Sequence, residues 1–228
     1  RYELADYGVG YAAIQVSNNP IVYSFLGLSG LMPGAFDINP YYYKVREYND
    51  FESRDLWEYD LDFTPEEVQM VIAYIWELLG ARFNYHYMSE NCSFRILSIF
   101  EVARPSLNLT STLKQQVMPA DTVSTLYKVP GLIHQIHYRP SVRAVFETRY
   151  QGLSPAEQKR IRQFSYSESV DVLKKDLTPV QQRNTLDAAM DFLDYRYADE
   201  ILNKKGKYHL KKDVMTDRAE LGILSEPL

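Results

Sequence analysis

The residues with the clearest capacity for chemistry lie together in Phe83-Asn84-Tyr85-His86-Tyr87-Met88-Ser89-Glu90-Asn91-Cys92-Ser93-Phe94-Arg95, which holds the only cysteine of the chain. An extended aromatic segment runs into an apolar helix here. Ser89 and Asn91, both turn and cap formers, stand just before the thiol. Cys92 is therefore expected in the first turn of a helix. Unpaired backbone N–H groups and the positive end of the helix dipole favour an anionic sulfur at such a place. A solitary cysteine is more often a small buried hydrophobe. The helix start, the polar neighbours Ser89, Glu90, Asn91 and Ser93, and the aromatic approach shift the reading to a nucleophile.

A cysteine nucleophile needs a base, normally a histidine oriented by a third polar group. His86 is six residues before Cys92 on an extended segment, close by but with no reason to face the thiol. His134 and His137 are three apart without a carboxylate or cysteine ligand at usable spacing, so no metal site and no cofactor are expected. His209 sits in a lysine-rich stretch and reads as solvated. The chain thus offers a nucleophile and no persuasive base. Tyr43, Lys44 and Glu47, with Arg46 among them, lie in a tyrosine run that suits either a polar headgroup or a salt-bridged loop. Arg54 and Glu58 read as ion partners.

The elements that must position these residues follow from pattern. The 228 residues, 46% hydrophobic and 24% charged, make a globular chain able to bury a substantial core. No window supplies the roughly 20 apolar residues of a membrane span. The least polar run, residues 19–39, is broken by Pro20, Gly27, Gly30, Pro33 and Gly34 and is expected as loop and short elements. Residues 1–15 read as a buried strand ended by Asn18-Asn19-Pro20. Alternation over 53–63 predicts a strand with Trp57, Tyr59, Leu61 and Phe63 toward the core and Glu58 on the opposite face.

Thr64-Pro65-Glu66-Glu67 opens a helix whose apolar stripe is Val68, Val71, Ile72, Ile75, Leu78 and Leu79, with Gly80 as its stop. The helix after Cys92 carries Ile96, Leu97, Ile99, Phe100 and Ala103 and ends before Pro105. Beyond about residue 110 glycine and tyrosine thin out. Ser154-Pro155 and Thr178-Pro179 are further helix starts, and Leu186, Ala189, Met190, Leu193, Tyr197 and Ile201 pattern a helix over 184–203. A thiol-bearing core over 1–110 and a mostly helical extension over 111–228 are expected.

Seven cationic residues face fifteen acidic ones over 1–110, and eighteen face fifteen over 111–228. Neither part is basic enough for a nucleic-acid groove, so no nucleic-acid partner is expected. The lysines at 204, 205, 207, 211 and 212 form a solvated or headgroup-facing surface.

Several runs together carry a family resemblance. They are Phe25-x-Gly27-Leu28-x-Gly30-x-x-Pro33-Gly34-x-Phe36, Pro40-Tyr41-Tyr42-x-Lys44-Val45-x-Glu47-Tyr48, Glu52-x-Arg54-Asp55-Leu56-Trp57-Glu58-Tyr59, Trp76-Glu77-Leu78, Glu90-Asn91-Cys92-Ser93-Phe94 and Glu101-x-Ala103-Arg104-Pro105. Spread over roughly residues 5–145, they resemble the Lnb N-terminal periplasmic domain family. The resemblance implies an α+β fold, a permuted papain-like core of the NlpC type with a small antiparallel sheet and a cysteine-bearing helix. It implies a periplasmic, membrane-facing enzyme whose partner is a lipoprotein or lipid. Its reaction would move a fatty acyl chain to the amino group of a lipoprotein's N-terminal cysteine through a thioester on Cys92. Peptidoglycan hydrolysis, or lipid binding by a degenerate domain, are the alternatives. Cys92 carries over as nucleophile, with Asn91 as its motif neighbour. The pocket is expected among Tyr43, Lys44, Glu47, Arg54 and Glu58. The resemblance sets the histidine base in a strand ahead of the segment matching Arg1 to Ala13.

Overall fold

The computed structural model describes residues 3–113, 116–198 and 204–225. In chain order its elements are β1 (Tyr7–Ala13), α1 (Pro20–Ser29), β2 (Met32–Pro40), α2 (Tyr41–Val45), β3 (Leu56–Leu61), α3 (Pro65–Leu78), β4 (Phe83–Tyr85), α4 (Cys92–Ala103), α5 (Pro119–Tyr127), β5 (Ile133–Arg139), α6 (Val142–Gly152), α7 (Pro155–Ser167), α8 (Asp171–Lys174), α9 (Pro179–Tyr197) and α10 (Lys204–Glu220). The class is α+β. The chain gathers into two compact units, one of residues 1–42 and 59–137, the other of residues 43–58 and 138–228. The expected boundary near residue 110 falls inside the first unit, because Leu126 and Leu132 share a buried cluster with Leu97, Leu107 and Leu109.

In the first unit β1, β2 and β4 form an antiparallel sheet in the order β1-β2-β4. Its register pairs Tyr11 with Phe36 and Met32 with Tyr85. Those four side chains and Ile99 of α4 make one buried cluster, onto which Val71, Ile75, Leu78 and Leu79 pack from α3. The start of α3 follows its sequence closely. Thr64 and Glu67 form a reciprocal capping box around Pro65. The stripe is narrower than expected, since Val68 and Ile72 are exposed. The chain turns Val71, Ile75 and Leu78 inward; 68 and 72 lie on the neighbouring i,i+4 row, with exposed Trp76.

Residues 19–39 are better ordered than a loop. Asn19 caps α1, its side-chain oxygen accepting the Ile21 N–H at 2.9 Å, and Pro20 takes the first helical position. Gly30, at φ +72°, ends the helix in the left-handed conformation. The Asn-Pro signal expected to end the first strand opens a helix instead, since β1 already stops at Ala13. Trp57 departs from its expected inward face and is 58% exposed, its ring tilted over Tyr138 at 4.6 Å. Its strand, β3, pairs only with β5 in a two-stranded sheet, so no second layer is demanded on both faces. Leu61 and Phe63 do reach an interior, beside Phe100.

The second unit is helical around α9, on which α6, α7, α8 and α10 all pack. Leu173, Leu186, Ala188, Ala189, Leu193 and Val214 are essentially inaccessible there, with Phe164 and Ile161 beside them. Thr178 caps α9 with Gln181, so the helix begins five residues ahead of the patterned stretch at 184. It is described as far as Tyr197, and the expected Ile201 and Asn203 lie outside the described residues.

Candidate active site

Cys92 opens α4, as its neighbours predict. The Asn91 side-chain oxygen accepts the N–H of Ser93 at 3.1 Å and of Phe94 at 3.4 Å. Its amide nitrogen donates to the carbonyls of Tyr87, at 3.1 Å, and Val117, at 2.7 Å. The Val117 N–H in turn donates to Met88. Asn91 is buried, and both polar atoms of its side-chain amide are used. It caps the helix and ties the turn over residues 87–91 to Val117, just ahead of α5, which places it as the residue that positions Cys92. The thiol is free and half-buried.

The side chain set against Cys92 is a phenol. Tyr85 ends β4, is 7% exposed and packs in the same cluster as Cys92, within electrostatic reach of it. Burial, reinforced by the adjacent Cys92 side chain, pushes the Tyr85 phenol up to about 12. It is therefore an O–H group at neutral pH, able to donate to sulfur.

Tyr85 belongs to an aromatic column. It stacks on Tyr11 with ring centroids 5.6 Å apart and meets Tyr87 edge-on at 5.5 Å. The Tyr87 hydroxyl donates to that of Tyr23 on α1. Burial and this bond hold the Tyr87 phenol up at about 12. The column is close-packed against α1, since a Cβ on Gly27 would lie 2.1 Å from the Tyr87 ring. On its other side Arg95 donates to Glu90 at 2.7 Å and lies 5.0 Å over the Phe83 ring. Burial raises the Tyr11 phenol, against the opposing pull of Arg95. Among the described residues the Tyr11 hydroxyl and Arg95 Nε complete no hydrogen bond.

The histidines have other surroundings. The His86 ring fills the space where a Cβ of Gly30 would be, within 1.8 Å of its Cε1 atom. His137 faces Asp60 at 3.4 Å, and His134 lines a shallow groove with Leu126 and Tyr127. His209 is on α10 in the second unit. Among the described residues no three histidine, cysteine or acidic side chains cluster as metal ligands do.

Tyr43, Lys44, Glu47, Arg54 and Glu58 all belong to the second unit, whereas Cys92 and Asn91 belong to the first. Tyr43 is exposed on α2. Lys44 and Glu47 pair at 3.0 Å, Arg54 pairs with Glu52 at 3.1 Å, and Glu58 pairs with Arg139 at 3.2 Å. Asp55 joins this last group by accepting the N–H of Ser141 and the hydroxyl of Tyr138. Hydrogen bonding to Ser141 holds its carboxyl below the usual range. The residues that sequence reasoning misses are Tyr11, Tyr23, Tyr85, Tyr87 and Arg95. The spacing of Tyr85 and Tyr87 on an extended segment was visible, but that both pack in one cluster with Cys92 depends on the tertiary fold.

Fold and site define an α+β domain in which a small antiparallel sheet presents tyrosines to a helix-opening cysteine. A family model described as the Lnb N-terminal periplasmic domain matches residues 1–129, and the chain belongs to that family. A domain of unknown function (DUF7842) matches residues 136–226. No curated protein and no solved structure matches the chain. The family places the chain outside the cytoplasm, in a lipoprotein-related role. Among the described residues no helix is long and apolar enough to cross a membrane.

Proposed function

We propose that the chain is a thiol acyltransferase acting on bacterial lipoproteins, built on a permuted papain-like core. The Cys92 sulfur attacks the ester carbonyl of a lipoprotein's diacylglyceryl group. A C–S bond forms, the C–O bond breaks, and the thiol proton ends on the released glycerol oxygen. The α-amino group of the lipoprotein's N-terminal cysteine then attacks the thioester, giving an amide and returning the proton to sulfur. The observation that carries this reading is the free thiol in the first turn of α4, packed in one cluster with the buried Tyr85. Helix N–H groups and a phenol supply hydrogen-bond donors where charge develops. The surrounding wall of Tyr11, Tyr85 and Tyr87 is apolar apart from its hydroxyls, as an acyl chain requires. The partner is a lipoprotein presented at a membrane surface, and no cofactor enters.

Cys92→Ala is expected to abolish the N-acylated lyso-form of a lipoprotein substrate, read by mass spectrometry, together with the acyl adduct on the enzyme. Unchanged product overturns the proposal. Release of muropeptides without an acyl group on Cys92 replaces it by cell-wall hydrolysis.

A further inference from the structure

Helix α1 shows water a surface that folding would ordinarily hide. Ile21, Val22, Phe25 and Leu28, with Leu31 just beyond the cap, are between 42 and 81% exposed. Ile21, Phe25 and Leu28 follow one another at i, i+4 and i+7 and so share a face. The opposite side turns Tyr23, Leu26 and Gly27 into the protein. The chain has no charged residue from Tyr7 through Phe36. Scattered exposed apolar side chains need no explanation, whereas a contiguous apolar ridge marks an interaction surface.

We infer that the outward face of α1 docks on the acyl-chain region of a phospholipid membrane, lying in its surface. The ten residues of α1 span about 15 Å, half the hydrocarbon thickness, so the helix lies on a bilayer and does not cross it. A second copy of the chain is the weaker occupant. A specific protein interface takes about 20–30 residues a side with a polar rim, and this ridge offers five apolar side chains and no charge. The inner face of the same helix leads to the thiol, through the Tyr23 hydroxyl bonded to Tyr87 and the Tyr87 ring against Tyr85. The helix that meets lipid on one side thus braces the wall of Cys92 on the other. This inference rests on the acyl-transfer reading only for that link; the docking itself stands on the exposed ridge.

The test is flotation of the full chain with vesicles of phosphatidylcholine and phosphatidylglycerol. The parent chain is expected to float, and to do so equally in high salt, because the ridge carries no charge to screen. Phe25→Asp with Leu28→Asp is expected to cut partitioning by roughly tenfold or more for each side chain withdrawn from hydrocarbon. Phe25→Trp, a milder change, is expected to show blue-shifted emission quenched by lipids brominated in their acyl chains. The inference is overturned if the parent stays in the aqueous fraction, or if the double variant floats like the parent. A concentration-dependent dimer that vesicles leave intact and the double variant abolishes would assign the ridge to a second copy instead. Cys92→Ala is expected to float like the parent. If it floats and still yields acylated product, the acyl-transfer reading falls and the docking stands.

Discussion

The two units spend their residues differently. The second hides large aliphatic side chains almost completely around α9 and closes its polar groups upon one another. Arg218 pairs with the buried Asp187, Arg149 pairs with Asp191, and the Thr185 hydroxyl donates to the Leu173 carbonyl at 2.7 Å. The first buries two smaller clusters, one of leucines and one that mixes Tyr11 and Tyr85 with Met32, Phe36 and Ile99, and leaves an apolar ridge exposed and its thiol half-buried. Tight aliphatic packing yields a well-defined scaffold. Phenols that bury a ring and keep a hydroxyl in play yield a surface that can act on a substrate. The half with the fuller aliphatic core is the one that lacks the cysteine.

The sharpest way to break that contrast is to open the aliphatic interior. Phe164→Ala removes a fully buried ring between α7 and α9 and is expected to cost about 3–5 kcal/mol, measured by denaturant titration. Under native conditions it should leave Cys92 alkylation by iodoacetamide unchanged. A loss much below that range would mean that the second unit is no better packed than the first.

Asn91→Ala tests the first unit at its most polar point. It removes the cap of α4 and both donors to the Tyr87 and Val117 carbonyls, for an expected loss of about 2 kcal/mol. Amide hydrogen exchange at Ser93 and Phe94 should accelerate. Unchanged exchange there would show that the turn before Cys92 is held by packing alone.

The smallest expected effect is a pH dependence. The hydrogen bond from Arg104, aided by the Thr64 N–H, lowers the Glu67 carboxyl to about 2. A carboxyl whose folded value is depressed contributes stability that is present above its unfolded value near 4.5 and is lost as pH falls toward 2. Thermal unfolding followed between pH 5 and pH 2 should show this loss, and Glu67→Gln should flatten that part of the profile. A profile identical in the variant would remove Glu67 from the account.

Local signals proved readable wherever they act within one turn of chain. Thr64-Pro65 through Glu67, Ser154 with Glu157, Thr178 with Gln181, and Asn91 before Cys92 all cap the helices their residue types announce. Asn19-Pro20 is the same kind of signal, obscured by the glycines that follow it. Gly27 breaks the helical pattern on paper, yet in the fold it is the place where the Tyr87 ring lies against α1. Alternation over residues 53–63 gave Leu61 and Phe63 correctly and Trp57 wrongly, since period two defines two faces without saying which one has a partner layer.

The sequence by itself determined the α+β class, the starts of α3, α4, α7 and α9 and the place of its one thiol, because capping, proline geometry and hydrophobic period are properties of neighbouring residues. Tertiary structure alone decided that residues 43–58 join the C-terminal helices, that Tyr85 packs in one cluster with Cys92, and that the apolar face of α1 looks outward. Each of those depends on contacts between segments far apart in the chain, whose free energies no local pattern records. The stretch around Cys92 announces a thiol at a helix start; that it packs with Tyr11, Tyr85 and Tyr87 was settled by the fold.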